Sequence, residues 1–140
     1  MKLTIQGKVQ AKQRIRLGRY SRYTPAQTKN YENWVKLSFI NQYPNFKPLE
    51  NELAVCIKAY FEISKSVSKK KREQMLNGNI RPTIKPDLDN IAKSVLDALN
   101  GLAYLDDKQI VFLKVEKFYA ESPRVELLVE EISYDEGRVL

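Results

Sequence analysis

Residues 85–107 read KPDLDNIAKSVLDALNGLAYLDD, and this stretch organises the whole chain. It opens as extended chain, because 81–86 holds Pro82 and Pro86. The pattern then turns helical over 89–100. Asp89 is suited to cap that helix, Ile91, Val95, Leu99 and Leu102 fall on one stripe, and Gly101 ends it. In an extended Asp87-Leu88-Asp89, alternate residues point the same way. Both carboxylates then share one face, with Leu88 turned into the core. Asp106-Asp107 closes the loop after the helix, just before a strand.

The reading extends outward from there. Downstream, 109–119 and 124–132 are strands joined at a short turn containing Pro123, which predicts a hairpin. Upstream, 65–77 is polar and charged and reads as a solvated helix ended by Gly78. Residues 52–63 alternate through Leu53, Val55, Ile57, Ala59, Phe61 and Ile63, which predicts a strand. Thr24-Pro25-Ala26-Gln27 is a helix start, with Thr as cap and Pro in the first turn. That helix runs to about Gln42 and buries Tyr31, Trp34, Val35, Leu37 and Ser38. Gln10 to Tyr23 is basic, lacks a clean period and reads as a loop. Leu3, Ile5, Gly7 and Val9 mark a first strand. The order β-α-β-α-α-β-β predicts an α/β (α+β) domain, a small mixed sheet of about four strands packed with helices. At 140 residues, one domain over 1–140 is expected.

The totals narrow the chemistry. Cys56 is the single cysteine, which excludes an intrachain disulfide framework and a Cys-rich zinc site. It sits in the apolar run LAVCIKAYF, where a buried, inert thiol is expected. There is no histidine, so Ser-His-Asp triads, Cys-His pairs and two-histidine phosphodiesterase chemistry are excluded. No window is long and apolar enough for a membrane span, and no signal peptide is read, so a cytoplasmic protein is expected. The net charge is +7 and unevenly spread. The first 31 residues hold eight Lys or Arg and no acid, and a second basic stretch over 65–85 contains Lys69-Lys70-Lys71-Arg72. The tail is acidic, with Glu126, Glu130, Glu131, Asp135 and Glu136. Such a distribution suits a polyanionic partner and equally suits a solvated face.

Five carboxylates lie within 85–107: Asp87, Asp89, Asp97, Asp106 and Asp107. Crowded anions repel, and a cation is the simplest offset. Oxygen ligands without His or Cys favour Mg²⁺ or Mn²⁺ over zinc. Lys93, one turn beyond Asp89, is placed to touch a phosphate or hold a carboxylate. Together these features resemble a metal-assisted phosphodiesterase that acts through metal-activated water. Taken singly, each has a structural use: Asp89 as a cap, Lys93 as a solvated residue, Asp106-Asp107 as a turn. Asp97 drifts off the face of Asp89 and reads as a structural hydrogen-bonding residue.

The segment KPDLDNIAKSVLDALNGLAYLDDKQI resembles the signature of the RusA family of Holliday-junction resolvases. Its elements are Pro-Asp-x-Asp-Asn, a Lys four residues after the second Asp, Asp-Ala-Leu, and Asp-Asp followed by a polar residue and Gln. GKVQAKQRIRLGR followed by YTPAQT resembles the basic opening of the family's Gram-positive and prophage branch. The resemblance implies a homodimer that binds four-way junction DNA and nicks opposing strands symmetrically with Mg²⁺. It implies Asp87, Asp89 and Asp107 as metal-binding catalytic residues, assisted by Asp106, with Lys93 as the essential lysine. Lys12, Arg14 and Arg16 would contact DNA, and the run Lys69, Lys70, Lys71 and Arg72 joins them as a basic candidate. A nuclease for other branched or flap DNA and a non-catalytic DNA-binding protein are the competing readings.

Overall fold

The computed structural model describes residues 1–10, 16–17, 22–23 and 26–133. Ten elements follow in order: β1 (Lys2–Gln6), β2 (Arg16–Leu17), β3 (Arg22–Tyr23), α1 (Ala26–Gln42), β4 (Leu53–Glu62), α2 (Lys69–Leu76), α3 (Leu88–Ala98), a 3₁₀ turn (Asp107–Gln109), β5 (Ile110–Ala120) and β6 (Arg124–Glu131). This is the mixed α+β architecture expected. The sheet has four strands in the order β1-β6-β4-β5. β4 runs parallel to β5 and antiparallel to β6, and β1 is antiparallel to β6.

The apolar alternation of β4 makes it a central strand. Leu53, Val55, Ile57, Ala59 and Phe61 are buried on one face. Beside them lie Leu3 and Ile5 of β1 and Val125, Leu127 and Val129 of β6. α1 and α3 pack on each other and supply Tyr31, Val35, Phe39, Ile91, Val95 and Leu99 to the same core. Each fully buried aliphatic side chain is worth about 1.5–3 kcal/mol.

The predicted hairpin of the last two strands does not form. β4 lies between β5 and β6, and Glu121–Pro123 steps over the C-terminal end of β4. The two strands are antiparallel, as a hairpin would require, but a strand apolar enough for the middle of the sheet separates them. The region 10–23, read as a loop, contains the short β2–β3 pair. The first strand stops at Gln6, and Val9 is buried beyond it. α2 is shorter than read, because Ser68 caps it: its Oγ accepts from the Lys71 N–H at 3.2 Å. The Thr24-Pro25 helix start lies outside the described residues.

Trp34 and Leu37 are exposed rather than buried. Tyr31, Val35, Ser38 and Phe39 face the core, which puts Trp34 and Leu37 on the flank of α1. Trp34 has a use there. Its Nε1 donates to the Gln6 carbonyl at 2.7 Å. Gln42 exchanges hydrogen bonds with both backbone groups of Thr4 (3.1 and 2.7 Å), and Tyr43 Oη does the same with Lys2. These side chains satisfy the outer edge of β1. Cys56 is half-buried rather than buried, because it lies on the sheet face turned away from α1 and α3.

Candidate active site

α3 begins one residue earlier than expected. Asp87, not Asp89, is its N-cap, and its side chain makes no capping hydrogen bond. Its backbone carbonyl accepts from the Ile91 N–H at 3.0 Å. Asp89 falls in the first turn, where the positive end of the helix dipole favours an anion. The early start also overturns the strand-like alternation. Leu88 is helical and exposed, and residues two apart on a helix do not share a face. Asp87, Asp89 and Lys93 are all exposed, with Lys93 one turn above Asp89.

The other end of α3 carries the denser acidic group. The helix stops at Ala98, Leu99 is its C-cap, and Gly101 takes a positive φ of 78° that turns the chain back. The Gly101 N–H donates to the Tyr104 carbonyl at 2.7 Å. Tyr104 is fully buried, and its hydroxyl donates to the Leu96 carbonyl of α3. The loop is therefore pinned to the helix end. Its return delivers Asp106 and Asp107, which are held by backbone and side-chain bonds. Asp106 Oδ1 accepts from the Lys108 N–H at 2.9 Å, and the Asp106 N–H donates to Gln109 Oε1 at 2.9 Å. Gln109 Nε2 donates to the Leu49 and Asn51 carbonyls at 2.9 and 3.0 Å. The Asp107 N–H donates to Asn100 Oδ1 at 2.9 Å.

The carboxyl of Asp107 meets those of Asp97 and Asp106. Burial, and then these two neighbours, push it above the ordinary carboxylate range. The Lys108 N–H, which bonds the charged form, holds the Asp106 carboxyl below that range. Burial first, followed by the charges of Asp107, Asp97 and Asp106, pushes the Tyr104 hydroxyl well up. The donors fit a hard divalent cation, being oxygen-only and crowded enough to disfavour full ionisation. The contacts run Asp97–Asp107–Asp106 as a chain. Among the described residues, no three His, Cys, Asp or Glu side chains close around one point as a metal site.

Asp97, read as structural, thus sits against Asp107, whereas Asp87 and Asp89 lie at the opposite end of α3. No contact joins Asp107 to Asp87 or Asp89. The signal for Asp97 was its place one residue before the helix ends, where a returning loop meets it. Of the basic candidates, Lys69, Lys70 and Lys71 are exposed in the first turn of α2, and Arg72 pairs with Glu121. Lys12, Arg14 and the side chain of Arg16 lie outside the described residues.

The family model for endodeoxyribonuclease RusA matches residues 6–130 and so takes in both acidic groups. The chain belongs to the RusA endodeoxyribonuclease family. Sequences similar to it include an uncharacterized protein, YqaN, of Bacillus subtilis (strain 168). That protein is 42% identical over 139 residues, covering 95% of this chain and 97% of its own length. A second is named crossover junction endodeoxyribonuclease rusA, from Lactococcus phage r1t. It is 41% identical over 51 residues, covering 36% of this chain and 39% of its own length. As a RusA-family member the chain is an endodeoxyribonuclease. No helix among the described residues is long and apolar enough to cross a membrane.

Proposed function

We propose that the protein resolves four-way DNA junctions by paired nicks, as a homodimer, with Mg²⁺ or Mn²⁺. The observation that carries this reading is the chain of carboxyls Asp97–Asp107–Asp106, in which burial and the two neighbouring carboxyls raise Asp107 above the ordinary carboxylate range. Such a group gains from a cation. The name of the phage relative supports junction DNA as the substrate.

In this reading Asp87, Asp89 and Asp107 hold the metal. A bound cation supplies an acidified water and neutralises charge building on the phosphate. Asp106 orients Asp107, through the turn that both begin. Lys93 contacts the scissile phosphate from α3. Lys69, Lys70 and Lys71 track the DNA backbone: three cations at the positive end of a helix are mutually unfavourable until an anion arrives. Lys12, Arg14, Arg16 and Arg72 remain further candidates for contacting DNA.

The geometry of α3 supports the dimeric reading, as do the two cuts it requires. Asp87 and Asp97 are ten residues apart along α3, about 15 Å of rise. A Mg²⁺ ion bridges ligands only about 4 Å apart. One protomer's Asp87 and Asp89 therefore do not share an ion with its own Asp107. A two-fold dimer offers each half-site a complement and generates two equivalent centres.

The test is cleavage of a mobile four-way junction beside matched linear duplex and flap DNA, with Mg²⁺ and with EDTA. Paired nicks confined to the junction and lost in EDTA are expected. Asp89→Asn should abolish cleavage and keep junction binding, because it removes a negative charge beside phosphate. Lys93→Ala should lower rate more than affinity. Equal cutting of flaps would make the protein a general branched-DNA nuclease. Full activity of Asp89→Asn would overturn the metal assignment.

A further inference from the structure

The two edges of the sheet are finished differently. The β1 edge is satisfied by Trp34, Gln42 and Tyr43. The β5 edge is covered only in its C-terminal half. There Arg81 Nε donates to the Lys117 carbonyl at 2.8 Å, pairs with Glu116 at 3.2 Å and lies over the Phe118 ring. That hydrogen bond fixes which residues of β5 face outward. The Lys117 backbone points to the free edge, so by alternation those of Val115 and Leu113 do too. Among the described residues, nothing meets them.

The bare half of the strand is also apolar. Val111, Phe112 and Leu113 are 60%, 53% and 44% exposed. The pairing with β4 skips Val111, a bulge in β5. Ile84 lies along the same strand, since its carbonyl accepts from Lys117 Nζ at 2.6 Å, and it too is exposed. Unpaired edges of this kind are normally blunted by charge, proline or a covering segment.

We infer that the 111–115 edge of β5 pairs antiparallel with the same edge of a second copy, about a two-fold axis at Leu113. This rests on the homodimeric reading above and names its surface. The segment is its own complement. Leu113 faces itself, Val111 faces Val115, and Phe112 faces Lys114, so no like charges meet. Pairing centred there stops short of Lys117, whose carbonyl Arg81 occupies. A DNA backbone would leave three apolar side chains unused. The arrangement also lays the Asp107 end of each strand beside the Tyr119 end of the other. Along that end runs the segment that leads from Arg81 to Asp87.

The experiment is sedimentation equilibrium of the full chain, joined to amide hydrogen exchange. Wild type should have twice the chain mass, with the Leu113 and Val115 amides protected. Phe112→Lys with Leu113→Lys should give a monomer with an unchanged far-UV circular dichroism spectrum. Leu113→Pro should do the same, because it removes only an outward N–H, which an edge strand tolerates. A monomeric wild type, rapid exchange at Leu113 and Val115 in a dimer, or a dimer that survives in folded variants would each overturn the inference. Protected amides in a dimer that cuts no junction would sink the resolvase reading alone. Junction cleavage by a dimer with unprotected amides would sink this interface alone.

Discussion

Gln109 touches no proposed metal ligand side chain, yet it holds the turn that presents one of them, Asp107, together with Asp106. Its Oε1 accepts from the Asp106 N–H, and its Nε2 bridges the Leu49 and Asn51 carbonyls. Gln109→Leu keeps the approximate volume and deletes all three bonds. At about 1 kcal/mol net per hydrogen bond the loss is about 3 kcal/mol. The freed groups are half-exposed and regain water, which brings the expected cost to about 2 kcal/mol. With roughly 3 °C per kcal/mol for a chain of this size, Tm should fall by about 6 °C. Cleavage should fall about 10–100-fold, the usual cost of losing a residue that orients a metal ligand. Junction affinity measured in Ca²⁺ should not change. The assay is a thermal melt in EDTA, paired with single-turnover junction cleavage in Mg²⁺. A variant that melts within a degree or so of wild type and cuts at its rate would refute the reasoning. Such a result would show that the turn is held by Asn100 and Asp106 alone.

Asp107→Asn tests the crowding of the carboxyls through its dependence on pH. A carboxyl raised on folding favours the fold at low pH and loses that contribution as pH rises through its folded value. In EDTA, Asp107→Asn should therefore melt above wild type at neutral pH. The gap should close below the ordinary carboxylate range, and melts across pH check both limbs. Replacing Lys69, Lys70 and Lys71 together by Ala should flatten the slope of log affinity against log salt by about 2.7, at about 0.9 per phosphate contact. A salt titration of junction binding reads this directly, and an unchanged slope would remove α2 from the DNA surface.

The fold was legible wherever period and burial coincide. β4 announces itself by five alternate apolar residues, and α3 by Ile91, Val95 and Leu99 on one stripe. The misreadings share a cause: tertiary partners that a local window does not contain. The pairing of β5 and β6 with β4, rather than with each other, depends on which strand is most buried across the sheet. The exposure of Trp34 depends on a strand edge 28 residues earlier that needs a donor. Leu88 was turned inward by strand alternation, whereas the helix already includes it.

The acidic centre shows the same limit in sharper form. The nine steps from Ala98 to Asp107 span up to about 30 Å when extended. That reaches either end of an 11-residue helix about 16 Å long. Composition alone therefore leaves open which carboxylates Asp107 will meet. Tyr104 decides it. Buried under the loop and bonded to the Leu96 carbonyl, it anchors the returning chain at the C-terminal end of α3. Asp107 is thereby set against Asp97, and Asp87 and Asp89 are left a helix length away. The motif's acids fall into two separated groups along α3 rather than one pocket within the protomer. A protomer built this way has carboxylates at both ends of α3 and an uncovered strand edge beside one of them. Under the dimer proposed above, the approach of a second copy would meet both features at once.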